Sequence, residues 1–326
     1  MARLNSFQKL ALSTVLATLF LIFVGSLVRA TGAGLGCPDW PKCFGMWMPP
    51  TSAAELPPTF EESQFNLLKT WTEYINRLIG VIIGLLIFAT FITSFRYLKS
   101  DTSVFGGALT AFVLVLFQGW LGGRVVASEL DEWLITIHML TAIVIVMILL
   151  FTTAKASTHL IRVDIEIDLY KKLLWVNAFL LVCTFIQIGL GTQVRELVDV
   201  LTKNADIARG DWLSQHGLID EIHRSFSWLL IVAGAANIWI SKRDNVPVPI
   251  KKLVNAMAII IVAQIGYGII LTNFGIPPLF QILHLTFAAV LICVEFLALL
   301  LLYFSNVHQK QPSPSSSSLA SLVGRN

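Results

Sequence analysis

Long apolar stretches separated by short polar connections run through most of the chain, and eight of them are long enough to cross a membrane as helices. A hydrocarbon core about 30 Å thick requires roughly 20 consecutive apolar residues in an α-helix. The pattern therefore predicts an all-α integral membrane protein with eight transmembrane helices. The predicted spans are Leu10 to Val28, Tyr74 to Phe95, Val104 to Leu121, Trp133 to Phe151, Leu173 to Leu190, Ile222 to Ile240, Leu253 to Leu271 and Phe280 to Phe304.

Two glutamine–histidine pairs of equal spacing indicate an internal repeat. Gln118 precedes His138 by 20 residues in the first half of the chain. Gln264 precedes His284 by the same distance, and this second pair follows the first at an offset of 146 residues. Internal repeats constrain the architecture of a protein more strongly than local patterns do.

Two further motifs recur in the same order. An acidic residue followed four positions later by arginine occurs at Glu73–Arg77 and again at Asp220–Arg224. A glycine followed four positions later by arginine occurs at Gly25–Arg29 and again at Gly191–Arg195. We therefore predict two pseudo-symmetric four-helix bundles followed by a short tail that is rich in serine and proline and too polar to fold. The boundaries are residues 1–160 for the N-terminal half, 161–306 for the C-terminal half and 307–326 for a disordered cytoplasmic tail.

Composition and charge support a membrane protein and predict its orientation. Apolar residues make up 56% of the chain and charged residues only 13%, which excludes an ordinary soluble domain. Cytoplasmic loops retain an excess of lysine and arginine, and here these residues collect in the connections after even-numbered spans. Both termini are thus predicted to be cytoplasmic, with the connections at 34–69 and 196–215 outside. No amphipathic presequence precedes the first span, so a bacterial inner membrane is expected. The connecting residues are Lys99, Lys155, Arg162, Lys171, Lys172, Lys242, Arg243, Lys251 and Lys252.

Four polar residues begin the spans that descend from the outer face. Asn76, His138, His223 and His284 all fall in the predicted first turns of even-numbered helices, so they converge near the outer leaflet. Ionisable groups inside a membrane are costly and usually serve an ion path, a proton relay or a cofactor. The pairing of these helices within each half predicts two cofactor pockets.

The histidines suit the iron of a haem better than a zinc ion. Two opposed imidazoles, from His223 and His284, can fill both axial positions of a b-type haem iron. A closed zinc site needs four ligands, and no cysteine is expected nearby. The alternative is that these side chains only hydrogen-bond between helices. In the first half Asn76 stands where symmetry expects histidine, so His138 is the one strong axial donor there.

Four arginines in the repeated motifs are predicted to bind haem propionates, because a guanidinium pairs well with a carboxylate. Snorkelling toward lipid headgroups is one alternative for each arginine. Salt bridges to Glu73 and Asp220, which stand one turn before two of them, are another. Glu73 is also the candidate for proton handling, because it lies beside the incompletely ligated pocket. The four are Arg29, Arg77, Arg195 and Arg224.

Cysteine usage agrees with the predicted topology. Cys37 and Cys43 bracket a short segment of the first outer loop, where an oxidising exterior favours a disulfide. Such a pair can be a structural clip, two free thiols or a redox-active couple, and the spacing does not choose between them. Cys183 and Cys293 stand alone in helices and are predicted to be small core residues.

Taken in order, these motifs resemble those of the haem A synthases over almost the whole chain. The most specific pieces are the segment from Arg29 to Cys43, the Glu73-x-x-Asn76-Arg77 helix start, Gln118-Gly-Trp-Leu-Gly-Gly and the two histidine helices. The resemblance implies an oxidoreductase that converts the methyl group at position eight of haem O to a formyl group, giving haem A for terminal oxidases. It also implies a haem b, with its iron, between the histidines of the C-terminal half, and haem O as substrate in the N-terminal half.

The chain departs from that family at Asn76, where histidine is usual. Our hypothesis is that His138 anchors haem O, Asn76 hydrogen-bonds a distal water or oxygen species, and Glu73 moves protons while the methyl carbon is hydroxylated twice and dehydrated. The resemblance further implies an electron acceptor and the farnesyl-transferring haem O synthase as partners, in a lipid bilayer and without nucleic acid. The sequence leaves open whether the protein forms a homo-oligomer. Rival functions are a haem b electron carrier and a transporter.

Overall fold

The computed structural model describes residues 4–202 and 217–308, and within these ranges the protein is almost entirely helical. Three single-turn 3₁₀ segments, Ala53–Glu55, Glu62–Gln64 and Phe95–Tyr97, and two three-residue strands, β1 (Asp164–Glu166) and β2 (Asn306–His308), complete the described secondary structure. The helices are α1 (Ser6–Ala30), α2 (Leu67–Ser94), α3 (Thr102–Ala127), α4 (Glu132–Ala156), the short α5 (Thr158–Ile161), α6 (Ile167–Thr202), α7 (Gly217–Ser241), α8 (Val248–Asn273) and α9 (Pro278–Tyr303).

Polar capping residues determine where several of these helices begin. The side chain of Asn66 accepts the backbone N–H of Lys69 at 3.1 Å, so α2 starts at Leu67. Helix α2 therefore starts seven residues before the predicted span at Tyr74. A polar capping residue can start a helix before its apolar residues begin. Asp131 caps α4 in the same way. Pro277 and Pro278 precede and open α9, as expected where the first helical N–H groups have no partner.

Seven of the described helices are long and apolar enough to cross a membrane, and the chain is a multi-pass membrane protein. They are α1, α2 with its continuation to Tyr97, α3, α4, α6 as far as Val198, α8 and α9. The remaining predicted span, Ile222 to Ile240, lies within α7, which is not among the seven. Its first turns carry Asp220, Glu221 and Arg224, which lower the mean hydropathy of the helix.

The long helices pack mainly on their neighbours in the chain. In the first part, α1 packs on α2 and α4, and α3 packs on both α2 and α4. In the second part, α6 packs on α7 and α9, and α8 packs on both α7 and α9. Helix α9 also contacts α1 and α4, so it lies between the two groups and is the most buried of the candidate spans.

The segment after α9 joins the segment before α6 through a small sheet. Strand β2 pairs in parallel with β1, with Val307 opposite the buried Ile165. This pairing differs from the predicted disordered tail at 307–326, because residues 307 and 308 belong to β2. The rest of that tail, and much of the predicted outer connection at 196–215, lie outside the described residues.

Two buried asparagines join neighbouring helices inside the bundle. Asn177 on α6 and Asn237 on α7 are both buried, and the Asn237 amide donates to Asn177 at 3.0 Å. Buried polar groups must be satisfied within the protein where water is absent. The two lone cysteines, Cys183 and Cys293, are buried free thiols, which confirms the prediction that they are core residues.

Candidate functional site

Three histidines occupy the same position in three different helices. His138 is the seventh residue of α4, His223 the seventh of α7 and His284 the seventh of α9. They therefore lie in the second turn rather than the predicted first turn. Asn76 is the tenth residue of α2, because that helix starts earlier than the apolar pattern indicates.

The structure brings His223 and His284 together. Their ring centroids lie 6.5 Å apart, with the ring planes at 73°. Both rings are partly buried, and α7 and α9 are each held by α6 and α8, which pack on both. The two imidazoles therefore face each other across a space that is enclosed by four helices.

The spacing of these rings fits two ligands that share one metal ion. A metal bound at about 2.0–2.1 Å from a nitrogen of each ring would separate the two ring centroids by about 6.4 Å. The Nδ1 atoms of His223 and His284 are buried and have no hydrogen-bond partner among the described residues. Imidazoles that ligate a metal through one nitrogen usually donate a hydrogen bond from the other, and that bond is missing among the described residues. The separation of the two rings is therefore the observation by which this pair fits the iron of a haem.

The N-terminal group holds two polar residues at the positions that correspond to His223 and His284. His138 Nδ1 and Asn76 Oδ1 are both buried and lack hydrogen-bond partners within the described part of the chain. Arg29 reaches this region from the end of α1, where its Nη1 lies 3.1 Å from the sulfur of Met139, the residue after His138. An amide oxygen is a poor ligand for iron compared with an imidazole. One strong axial donor is therefore present in this group.

The first outer loop is tied to the start of α2 by a disulfide and a buried glutamate. Cys37 and Cys43 form a disulfide, as the sequence predicted. The backbone N–H of Cys37 donates to Glu73 Oε2 at 2.9 Å, and the other oxygen of Glu73 accepts from Arg77. Only 4% of Glu73 is exposed. This carboxylate therefore joins the disulfide loop to the helix that carries Asn76.

All five N–H groups of Arg77 are engaged in this loop region. Two donate to Glu73, and the other three donate to the backbone carbonyls of Cys37, Asp39 and Lys42. A guanidinium has five donors in total. Binding of a haem propionate by Arg77 stays a prediction. The propionate would have to replace one of these three carbonyls as the hydrogen-bond acceptor.

Close backbone contact completes the attachment of the loop. The Thr70 hydroxyl donates to the carbonyl of Gly36 at 2.8 Å, and a Cβ atom on Gly36 would lie 2.4 Å from the Lys69 carbonyl. Only glycine fits at that position. Further along the loop, the Tyr74 hydroxyl donates to the carbonyl of Trp47 at 2.7 Å. The loop is therefore a packed cap rather than a free connection.

The repeated arginines of the C-terminal half have partners of their own. Arg224 forms an ion pair with Asp220 at 3.0 Å, although 54% of the Arg224 side chain is exposed. Arg195 donates to Gln281 Oε1 at 2.8 Å. The salt-bridge alternative is thus present for both acid–arginine motifs, and it leaves the exposed Arg224 with access to a further anion.

A third glutamine–histidine contact was not predicted from the sequence. Gln187 on α6 donates to the backbone carbonyl of His223 at 2.9 Å, as Gln118 does to His138 and Gln264 does to His284. The chain separation here is 36 residues instead of 20, because the connection after α6 is longer. A glycine four residues after each glutamine was the signal that could have revealed it.

Comparison with known proteins agrees with this arrangement. Residues 8–296 match the cytochrome oxidase assembly protein family. A protein of Shewanella oneidensis named heme A synthase is 30% identical over 212 residues, which cover 64% of this chain and 62% of that protein. Heme A synthase of Orientia tsutsugamushi is 27% identical over 345 residues, covering 88% of this chain and 93% of the relative. Heme A synthase of Bartonella tribocorum is 21% identical over 320 residues, with 86% and 88% covered. Because the match extends over nearly all of the described helices, the chain belongs to the cytochrome oxidase assembly protein family.

Proposed function

We propose that this protein is a haem A synthase, an oxidoreductase that acts on a CH/CH2 group. Its substrate is haem O, whose methyl group at position eight is oxidised to a formyl group to give haem A for terminal oxidases. The names of the relatives support this activity. The observation that carries it in the structure is the facing pair of His223 and His284 in one helix group, beside a second group with His138 as its strong donor.

The C-terminal group is proposed to hold a haem b as a resident cofactor. His223 and His284 are the residues that would bind its iron, which supplies one-electron transfer when the haem is bound. Helices α6 and α8 each pack on both helices that carry the pair and so hold the two rings in place. Arg195 and Arg224 lie at the same end of this group and are the proposed partners of the propionates.

The N-terminal group is proposed to bind the substrate. His138 would anchor the iron of haem O, and Arg29 would pair with a propionate at the end of α1. Asn76 provides a buried amide oxygen without a partner among the described residues, so it can accept a hydrogen bond from water beside the substrate. A single strong axial donor leaves the opposite face of haem O open to reaction.

Glu73 is proposed to handle protons next to that substrate. Its Oε2 accepts a hydrogen bond from Cys37, and its Oε1 accepts from Arg77. These contacts hold the carboxylate against the disulfide loop, so the loop positions the group that would take up the proton. The second lone pair of Oε2 is the site at which the proton would bind.

The proposal includes the membrane arrangement. Helix α7 is taken as the eighth span, so that two pseudo-symmetric four-helix halves lie side by side with both termini in the cytoplasm. The equivalent positions of His138, His223 and His284 in their helices support this symmetry. The proposed location is the bacterial inner membrane, where the electron acceptor and the haem O synthase would be partners.

Pigment analysis tests the proposed activity. The protein is to be expressed in a host that makes haem O but no haem A, purified, and its pigments extracted and separated by chromatography with mass detection. We expect haem A or hydroxylated haem O together with haem b. His138→Ala should abolish the oxidised products, whereas His159→Ala, an exposed histidine in α5, should not.

Other pigment patterns would point to the rival functions. Haem b alone, in protein supplied with haem O, would indicate an electron carrier that does no chemistry on the porphyrin. Protein free of pigment, from cells that contain both haems, would indicate a transporter. Either result would contradict the proposed synthase.

A further inference from the structure

Three glutamines make the same hydrogen bond to the three candidate haem-ligating histidines. The side-chain amides of Gln118, Gln187 and Gln264 each donate from Nε2 to the backbone carbonyl of a histidine, at 2.9 Å in every case. The histidines in question are His138, His223 and His284. This contact therefore accompanies every one of the three histidines in the described helices that face a candidate pocket.

The hydrogen bond fixes which way each amide points. A backbone carbonyl can only accept a hydrogen bond, so the nitrogen of the glutamine must face it and the Oε1 atom must point away. The Oε1 atoms of all three glutamines are buried and lack a hydrogen-bond partner among the described residues. An unsatisfied buried acceptor costs free energy, about 1–3 kcal/mol. The same atom is left without a protein partner at three equivalent places.

The histidine that each glutamine already holds carries a ring nitrogen that would supply the missing donor. The Nδ1 atoms of His138, His223 and His284 are likewise buried, and they too have no partner in the described part of the chain. Each place therefore holds a glutamine oxygen and a ring nitrogen that make no hydrogen bond to each other. At His223 and His284 the main-chain carbonyl of the same glutamine also lies near the ring. A rotation of the imidazole, when its other nitrogen binds a metal, would direct the Nδ1–H group toward the amide oxygen.

Glycines in the helix that carries each glutamine leave room for such a rotation. Each glutamine is followed four residues later, on the same helix face, by a glycine. A Cβ atom on Gly122 would lie 3.4 Å from Cε1 of His138, and one on Gly191 would lie 3.2 Å from Cε1 of His223. The third glycine, Gly268, has no neighbour within 4 Å of that position. A side chain at Gly122 or Gly191 would press on the imidazole ring.

We propose that Gln118, Gln187 and Gln264 are positioning residues that accept the Nδ1–H hydrogen bond of each haem-ligating histidine. The inference rests on the proposed function. Each amide would bind one histidine twice, at its backbone carbonyl and at its ring, and so fix the ring tautomer and orientation. A hydrogen bond from Nδ1–H makes the opposite nitrogen a stronger donor to iron. This interaction stabilises the oxidised iron and lowers the midpoint potential.

The fourth position of the repeat supports the assignment. Gly191 and Gly25 are equivalent in the repeat, so the residue equivalent to Gln187 is Leu21. The residue equivalent to His223 is Asn76. Where the chain lacks the histidine, it therefore also lacks the glutamine. If the glutamine served only to join helices, it would be expected at this position as well, with or without the histidine.

The C-terminal group offers the clearest test, because a haem b with two histidines has a distinct optical spectrum. Gln187→Leu and Gln264→Leu are each to be purified with bound haem and titrated electrochemically. We expect the reduced-to-oxidised ratio at a fixed potential to rise about tenfold, equivalent to 59 mV for a one-electron couple. We also expect haem to be lost about 10- to 100-fold more readily to an apoprotein acceptor.

Two further variants separate positioning from structural support. Gln8→Leu removes a buried glutamine that donates to the Ala156 carbonyl at 2.7 Å far from the histidines, and it should leave the potential unchanged. Gln264→Glu keeps an acceptor oxygen and, when protonated, the donor as well. Its potential should equal that of the parent protein or lie below it, even if Gln264→Leu fails to fold.

The outcomes distinguish this inference from the proposed function. A parent protein without haem b would contradict the proposed function itself. A parent protein with haem b whose potential and spectrum are unaffected by Gln187→Leu and Gln264→Leu would overturn the positioning role alone. A raised potential in Gln264→Glu would overturn it as well.

Discussion

The backbone N–H of Cys37 donates to Glu73 Oε2 at 2.9 Å, and this bond joins the disulfide loop to helix α2 across 36 residues of chain. The same carboxylate accepts two hydrogen bonds from Arg77, which also holds three carbonyls of the loop. The loop, the acid and the arginine therefore form one unit with the segment of α2 that carries Asn76. A substitution of Glu73 should therefore affect both the folding stability of this unit and the proposed proton transfer.

Glu73→Gln should destabilise the protein much more than the equivalent change in the other half. The ion pair of Glu73 with Arg77 is largely buried, with side chains 6% and 15% exposed. Breaking a buried pair leaves an uncompensated charge and costs about 3 kcal/mol or more. Asp220→Asn breaks the same i,i+4 pair where the arginine is 54% exposed, and should cost less than about 1 kcal/mol. Thermal unfolding in detergent measures both, and equal losses would contradict the prediction.

Gly36→Ala should loosen the disulfide loop. Its new Cβ would lie 2.4 Å from the Lys69 carbonyl, so either the loop or the first turn of α2 must move. Overpacking of this kind costs about 1–3 kcal/mol. Gly80→Ala in α2 is the matched control, because that position has no neighbour within 4 Å and alanine favours a helix by about 1 kcal/mol. Protease sensitivity of the loop and unfolding temperature are the measurements. A loop as resistant to protease as that of the parent would count against the contact.

Sequence patterns located seven of the eight predicted membrane spans, because length and hydropathy are local properties of the chain. The pairs Gln118–His138 and Gln264–His284 were visible because each joins two consecutive helices through a short turn of equal length. The Gln187–His223 contact was not found, because a longer connection breaks that spacing. Local spacing reveals a contact only where the intervening loop has the same length in both repeats.

The loop contacts could not be predicted for a different physical reason. The bonds from Arg77 to the carbonyls of Asp39 and Lys42 involve backbone atoms, which every residue possesses. No residue pattern marks them. The sequence did mark Glu73 and Arg77 as a repeated pair, and the structure adds that both members of the first pair are largely buried, whereas the arginine of the second pair is exposed. Tertiary packing of a long loop made that difference.

Glu295→Gln should leave the stability of the protein unchanged or raise it. Glu295 is fully buried in α9, its Oε1 accepts from the Thr184 hydroxyl at 2.8 Å, and its Oε2 has no partner among the described residues. An unpaired buried charge would be very costly, so a neutral amide is a suitable replacement. Thr184→Val removes the hydrogen bond instead and should cost about 1–3 kcal/mol. A loss from Glu295→Gln as large as that from Thr184→Val would indicate a charged, paired carboxylate.

Asn76→His combined with Leu21→Gln should convert the substrate site into a second bis-histidine site. The repeat places these residues where His223 and Gln187 stand in the other half, so the double variant restores both the ligand and its proposed hydrogen-bond acceptor. Bound haem O should then change from a high-spin to a low-spin optical spectrum, and its oxidation should slow because the open face is closed. Asn76→His alone should give an incomplete change, since its ring would lack the acceptor. Leu21→Gln alone should change nothing, because an amide at residue 76 remains a poor ligand. A high-spin spectrum in the double variant would show that the two halves do not place their helices equivalently around a haem.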